Sequence, residues 1–259
     1  MDKKIKNILI VGNKGAMGSF FEKKFRSHGR FNLYGIDRPL DLSAVEDIFD
    51  DLHMALLCVP IHAIKDVVVK LKNKLNKDTI LVDICSVKVL PMEAMLNNYP
   101  GPVVGTHPLF GPNPEPDHPL KIAVVKGRGD NELNLVKELF ISIGLDVFEC
   151  TAKQHDRAMA FIQGLNFVTT LSYFAAFSGD ESLLRFITPS FKRRIESAKK
   201  MLCEDSSLFQ TLFESNPYSH DAVKKFRSFL NLASAGDLDI LVQKAWWWWQ
   251  VDKNKGGAP

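Results

Sequence analysis

The 259-residue sequence has no apolar run approaching the roughly 20 residues that a membrane-spanning helix needs. Its start, Met1-Asp2-Lys3-Lys4, leads into a strand-like run without the apolar core of a signal peptide, so a cytoplasmic protein is expected. Cysteine is scarce: Cys58, Cys85, Cys150 and Cys203 are far apart and form no CxxC pair. That excludes a zinc-ribbon or disulfide-scaffold reading, and no metal site is expected. Three of the four lie in or beside apolar runs, where a small buried hydrophobe is the expected role. Neither sign of charge dominates, and a net charge of +3 is too small for a nucleic-acid-binding surface.

The length suits two domains of moderate size, each with its own core. Residues 5–11 form a short apolar run ending at Gly12-Asn13-Lys14-Gly15-Ala16-Met17-Gly18, after which Phe20, Phe21 and Phe25 mark one face of a helix. Strand, glycine turn and helix are the setting of the G-x-G-x-x-G dinucleotide fingerprint. Its glycines permit a tight turn, close approach to a pyrophosphate and tight helix packing. The match uses positions 13, 15 and 18; Asn13 replaces the first glycine, a residue type that tolerates positive φ, with Gly12 beside it. Residues 31–36 read as a second strand ending at Asp37, about where an acidic residue holds the adenosine ribose hydroxyls. A carboxylate there repels a 2′-phosphate and favours NAD over NADP, although Arg38 next to it is suited to accept that phosphate.

Two further apolar strands follow, over residues 54–59 and 79–84, with a helical pattern over 61–75 between them. Such alternation predicts a parallel sheet covered on both faces, whose ligands bind at the carboxyl ends of the strands. The glycine turn, Asp37, Cys58, Val59, Pro60, Ser86 and His107 therefore share one rim. His107 lies in Gly105-Thr106-His107-Pro108-Leu109-Phe110-Gly111-Pro112, between a strand-like run over 102–105 and a Pro/Gly turn. A strand over 122–125, a helix over 131–143 and a strand over 147–150 complete a Rossmann-type nucleotide-binding domain over 1–151. Helical spacing then continues through 177 and over 190–213, 220–233 and 238–250, predicting an all-α domain over 152–250. The tail, 251–259, is expected to be disordered. Lys192-Arg193-Arg194 follow Pro189 at a helix start, where cations oppose the dipole, so they are either solvated or hold an anion. Trp246, Trp247, Trp248 and Trp249 point all around a helix, and a subunit interface is the expected cover; otherwise two pack and two stay loosely exposed.

The ordered set Gly12-x-x-Gly15-x-Met17-Gly18, Val59-Pro60-Ile61-His62, Val82-Asp83-x-x-Ser86-Val87-Lys88, His107-Pro108-Leu109-Phe110-Gly111-Pro112 and His155-Asp156-Arg157-x-Met159-x-x-Ile162-Gln163-Gly164-Leu165 resembles the prephenate dehydrogenase (TyrA) family. It covers roughly residues 5–215, and by this resemblance the monofunctional form, without a fused chorismate mutase segment, is expected. The resemblance implies NAD-dependent oxidative decarboxylation of prephenate to 4-hydroxyphenylpyruvate in tyrosine biosynthesis by a homodimer joined through its helical part. It makes His107 the base and Ser86 the residue that orients the histidine or the substrate. Gln163, Phe167, Lys192 and Arg193 fall at substrate positions, and residues 12–17, Asp37, Arg38, Cys58, Val59 and Pro60 at cofactor positions. Phe167 stands where the family commonly has a second histidine, and Lys192 where it commonly has a substrate-binding arginine. These departures leave arogenate or another cyclohexadienyl substrate open, and also a non-catalytic NAD-binding relative.

Overall fold

A computed structural model describes residues 4–177 and 179–253. It forms two compact units that divide between Met159 and Ala160.

The first unit is built on a seven-stranded sheet in the order β2-β1-β3-β4-β5-β6-β7. The strands are β1 (Asn7–Val11), β2 (Asn32–Ile36), β3 (Met54–Leu57), β4 (Ile80–Asp83), β5 (Val103–Pro108), β6 (Lys121–Arg128) and β7 (Asp146–Glu149). β1 to β5 are mutually parallel, as continuous apolar strands imply. β6 departs from that pattern and runs antiparallel to β5. The chain returns from β5 through a Pro-rich loop instead of a crossover helix, and a direct return reverses direction. β6 also extends β5: His107 pairs with Ala123 and Pro108 with Ile122, so the histidine lies within the strand and not beyond its end at residue 105.

Side chains alternate across the sheet and feed two cores. Ile8, Ile10, Leu56 and Val82 pack with Phe21 and Phe25 of α1 (Ala16–His28) and Phe140 of α4 (Asp130–Ser142). Leu9, Val11, Leu57 and Leu81 face Val68 and Leu71 of α2 (Ile64–Leu71) and Met95 of α3 (Val89–Asn98). Helices thus cover both faces, and the C-terminal edges of β1 to β5 form one rim. The expected boundary at residue 151 precedes α5 (Ala152–Met159), which groups with the first unit because Asp156 hydrogen-bonds the start of α3.

The second unit is helical, with α6 (Asn166–Ala175), α7 (Pro189–Lys199), α8 (Ser206–Ser215), α9 (Ser219–Ser234), α10 (Leu238–Ala245) and α11 (Trp247–Lys253). The helix expected over 190–213 is interrupted by a π turn, Lys200–Glu204, and a second π turn, Ala160–Leu165, precedes α6. The expected tail begins inside α11, and residues 254–259 lie outside the described residues. Phe167, Ala198, Leu212 and Ala222 are buried, whereas Leu184, Phe186, Leu208, Leu230 and Leu238 are exposed. No described helix is long and apolar enough to cross a membrane.

Candidate active site

The glycine turn takes its shape from Gly12, whose φ of 88° lies in the left-handed region and whose N–H donates to the Ile36 carbonyl at 2.7 Å. A Cβ there would collide with the Cys58 carbonyl oxygen, so only glycine fits. No other residue type has positive φ among the described residues. Asn13 therefore does not need the left-handed conformation expected of it, because Gly12 supplies that bend one residue earlier. Its Nδ2 instead donates to Glu22 at 3.2 Å. α1 begins at Ala16 with neither a side-chain cap nor an acidic residue in its first turn, leaving its first N–H groups for an anion. Gly18 lets the helix close onto the turn, since a Cβ there would meet the Gly12 carbonyl.

Asp37 follows β2 and is fixed by accepting from the Lys14 N–H at 2.9 Å and the Arg38 N–H at 2.7 Å. A cleft of about 490 Å³ joins Gly12, Gly15, Asp37, Arg38, Val59 and Pro60, with Cys58 also in its wall. Lys14 and Ala16 line a neighbouring hollow instead, and Met17 is half-buried against the α1 core. Burial, with the Asp83 charge behind it, pushes the Cys58 thiol far above its ordinary range, so it is a wall residue and not a nucleophile.

His107 sits at the same edge, on β5, three strand spacings or roughly 14 Å from β1. It is only 3% exposed. Its Nδ1 lies 2.8 Å from Nε2 of His155, which is itself buried on α5. The Nδ1 of His155 is 2.7 Å from Oδ1 of Asp156. Asp156 also accepts from the backbone N–H groups of Lys88 and Val89, at 2.7 and 2.8 Å, and so caps α3 from 67 residues away. The Lys88 ammonium is buried between strands, 2.5 Å from both Asp83 Oδ2 and the Thr106 carbonyl. Burial first, then His155 and Lys88, hold the His107 pKa well below the ordinary histidine value.

Ser86 is half-buried three residues beyond β4, on this same rim. The contact that orients His107 comes from His155, and among the described residues the Ser86 hydroxyl has no hydrogen bond. The remaining expected site residues belong to the helical unit. Gln163 is half-buried in a π turn, a distortion frequent at functional sites. Phe167 is not an open ligand surface: it is 5% exposed and stacks on Phe209, 5.7 Å between ring centroids, as part of the helical core. Lys192 and Arg193 are exposed on α7, which begins at Pro189 behind a Thr188 cap, and neither forms an ion pair among the described residues. Arg194 lies over the Tyr173 ring at 3.5 Å. The sequence pattern includes His155, Asp156 and Lys88 among the motif residues but assigns them no role at the site. The adjacent His-Asp pair at a helix start was the available signal, but its partners are 48 and 67 residues away.

Fold and rim together define a dinucleotide-binding protein of the Rossmann class. Residues 30–119 match the family described as prephenate dehydrogenase, nucleotide-binding domain. The chain is 29% identical over 226 residues to the T-protein of Enterobacter agglomerans, covering 86% of this chain and 60% of that protein. It thus spans about three-fifths of that relative's length. In structure it is similar to prephenate dehydrogenase from A. aeolicus in complex with hydroxyphenyl propionate and NAD+ (TM-score 0.79, 22% identity, 99% of this chain and 100% of that one). It is also similar to Synechocystis arogenate dehydrogenase (TM-score 0.74, 19% identity, 97% and 100%).

Proposed function

We propose that this protein is an NAD-dependent dehydrogenase that oxidatively decarboxylates prephenate to 4-hydroxyphenylpyruvate in tyrosine biosynthesis. The observation that carries the reading is His107: buried on the ligand rim of the sheet, with Nδ1 engaged by His155 and Nε2 left for a substrate hydroxyl. The residues present fit the cofactor. The uncapped start of α1 suits the pyrophosphate, the turn at Gly12 admits close approach, and Asp37 suits ribose hydroxyls. Bound NAD supplies the hydride acceptor. His107 takes the proton of the substrate's ring hydroxyl as the carbon bearing it gives up hydride. The same proton returns to the ring oxygen as the ring carboxylate leaves as CO2 and the ring becomes aromatic. Ser86 holds the substrate near His107 on the rim of the first unit.

The relatives of known structure include both a prephenate dehydrogenase and an arogenate dehydrogenase, so arogenate, with an amine in place of the side-chain keto group, is the alternative substrate. In this reading the protein works in the cytoplasm as a homodimer, with the exposed tryptophans of the helical unit covered by the second copy. Purified protein given NAD and prephenate should show rising nicotinamide absorbance and form hydroxyphenylpyruvate. No turnover with prephenate or arogenate, with either NAD or NADP, would overturn the assignment in favour of a non-catalytic NAD-binding relative.

A further inference from the structure

His107 does not stand alone at the rim but ends a chain of three buried side chains, and proton bookkeeping along that chain decides which of its nitrogens is bare. Asp156 accepts at both oxygens, from the Lys88 and Val89 N–H groups. An ionised carboxylate only accepts, so the His155 Nδ1 facing it at 2.7 Å carries a proton. His155 Nε2 and His107 Nδ1 then face each other at 2.8 Å and need one proton between them. If it sat on His155, that ring would be a cation in a buried site that already holds the Lys88 ammonium. Placed on His107 Nδ1, it leaves both rings uncharged.

We propose that His155 and Asp156 are a positioning pair that locks His107 in its Nδ1–H tautomer and presents a bare Nε2 to the substrate hydroxyl. This rests on the role of His107 proposed above. When Nε2 takes the hydroxyl proton, the O–H bond breaks, an N–H bond forms, and the positive charge stays on His107. No proton passes to Asp156, whose charge stabilises the imidazolium through His155. The pair was absent from the residues expected at the site, and no ligand contact is asked of it.

Nitrogen-15 NMR of the uniformly labelled protein reads the tautomer without any turnover. A protonated Nδ1 and a pyridine-like Nε2 on His107 are expected, whereas a protonated Nε2 would overturn the inference. Removing the acceptor with His155→Leu should lower kcat by roughly 10²-fold and leave the KM for NAD within about twofold. His155→Gln, whose amide oxygen can accept from Nδ1–H, should recover activity to within about tenfold of the wild type. An unchanged kcat in the leucine variant, or glutamine no better than leucine, overturns the positioning role. His107→Asn separates the two readings. Full turnover in that variant removes His107 as the base, while loss of turnover together with a protonated Nε2 removes only the positioning pair.

Discussion

His107 shows how a burial pattern becomes a chemical property. Its ring is almost without solvent contact, and desolvation, aided by His155 and Lys88, disfavours its charged form. The unfolded chain titrates this group near the ordinary value of about 6.5, the folded chain well below it. As pH falls, the unfolded state takes up the proton first, so stability declines through the region of the unfolded value and levels off below the folded one. Urea titrations between neutral and mildly acid pH should show this loss in the wild type and a smaller one in His107→Asn. The same substitution should lower kcat by roughly 10² to 10⁴-fold with NAD affinity preserved, because a positioned base contributes about that much. A variant with wild-type kcat would remove the base from its assigned nitrogen. At Asp37 the expected outcome concerns the cofactor: Asp37→Ser should raise turnover with NADP relative to NAD by about tenfold, since the carboxylate no longer opposes a 2′-phosphate. An unmoved ratio would dissociate Asp37 from the ribose.

At the scale of elements, the ends of β4, β5 and α3 are tied by polar groups that no local pattern reveals. Lys88 lies wholly buried against Asp83 and the Thr106 carbonyl, while its own backbone N–H goes to Asp156. Breaking such a pair from one side leaves the other charge buried and unmatched. Lys88→Met should therefore cost about 3–5 kcal/mol of unfolding free energy in denaturant titrations. A loss below about 1 kcal/mol would show that water reaches Asp83. The apolar runs and glycine turns that build the sheet were readable because a buried parallel strand needs continuous hydrophobes and a phosphate turn needs glycine. The π turn at Lys200–Glu204 was not, because no Gly or Pro marks it and the helical period continues on either side. The antiparallel β6 was missed for a similar reason: direction comes from the route of the connection, not from the composition of the strand.

For the whole molecule, the first unit buries its apolar surface on both sides of one sheet, while the helical unit leaves much of its own exposed. Trp246, Trp247, Trp248 and Trp249 are 56–66% exposed, the first capping the end of α10 and the other three opening α11. Uncovered indoles in such number mark an interaction surface. Sedimentation of the wild type should give a dimer. Trp247→Ser combined with Trp249→Ser should give a monomer whose melting temperature falls only to that expected for lost association. A wild-type monomer would overturn the dimer.

What the sequence determined by itself was the kind of scaffold and the edge on which the candidate site lies. Alternating apolar runs, the turn at Gly12 and the acidic end of β2 are local patterns, each set by residues within about one structural element of another. The tertiary structure decided how His107 is held. Its partner is His155 and not Ser86, and Asp156 both ends that chain and caps α3. Those contacts join residues 48 and 67 positions apart, and a hydrogen bond across that separation exists only once the strands and helices have packed.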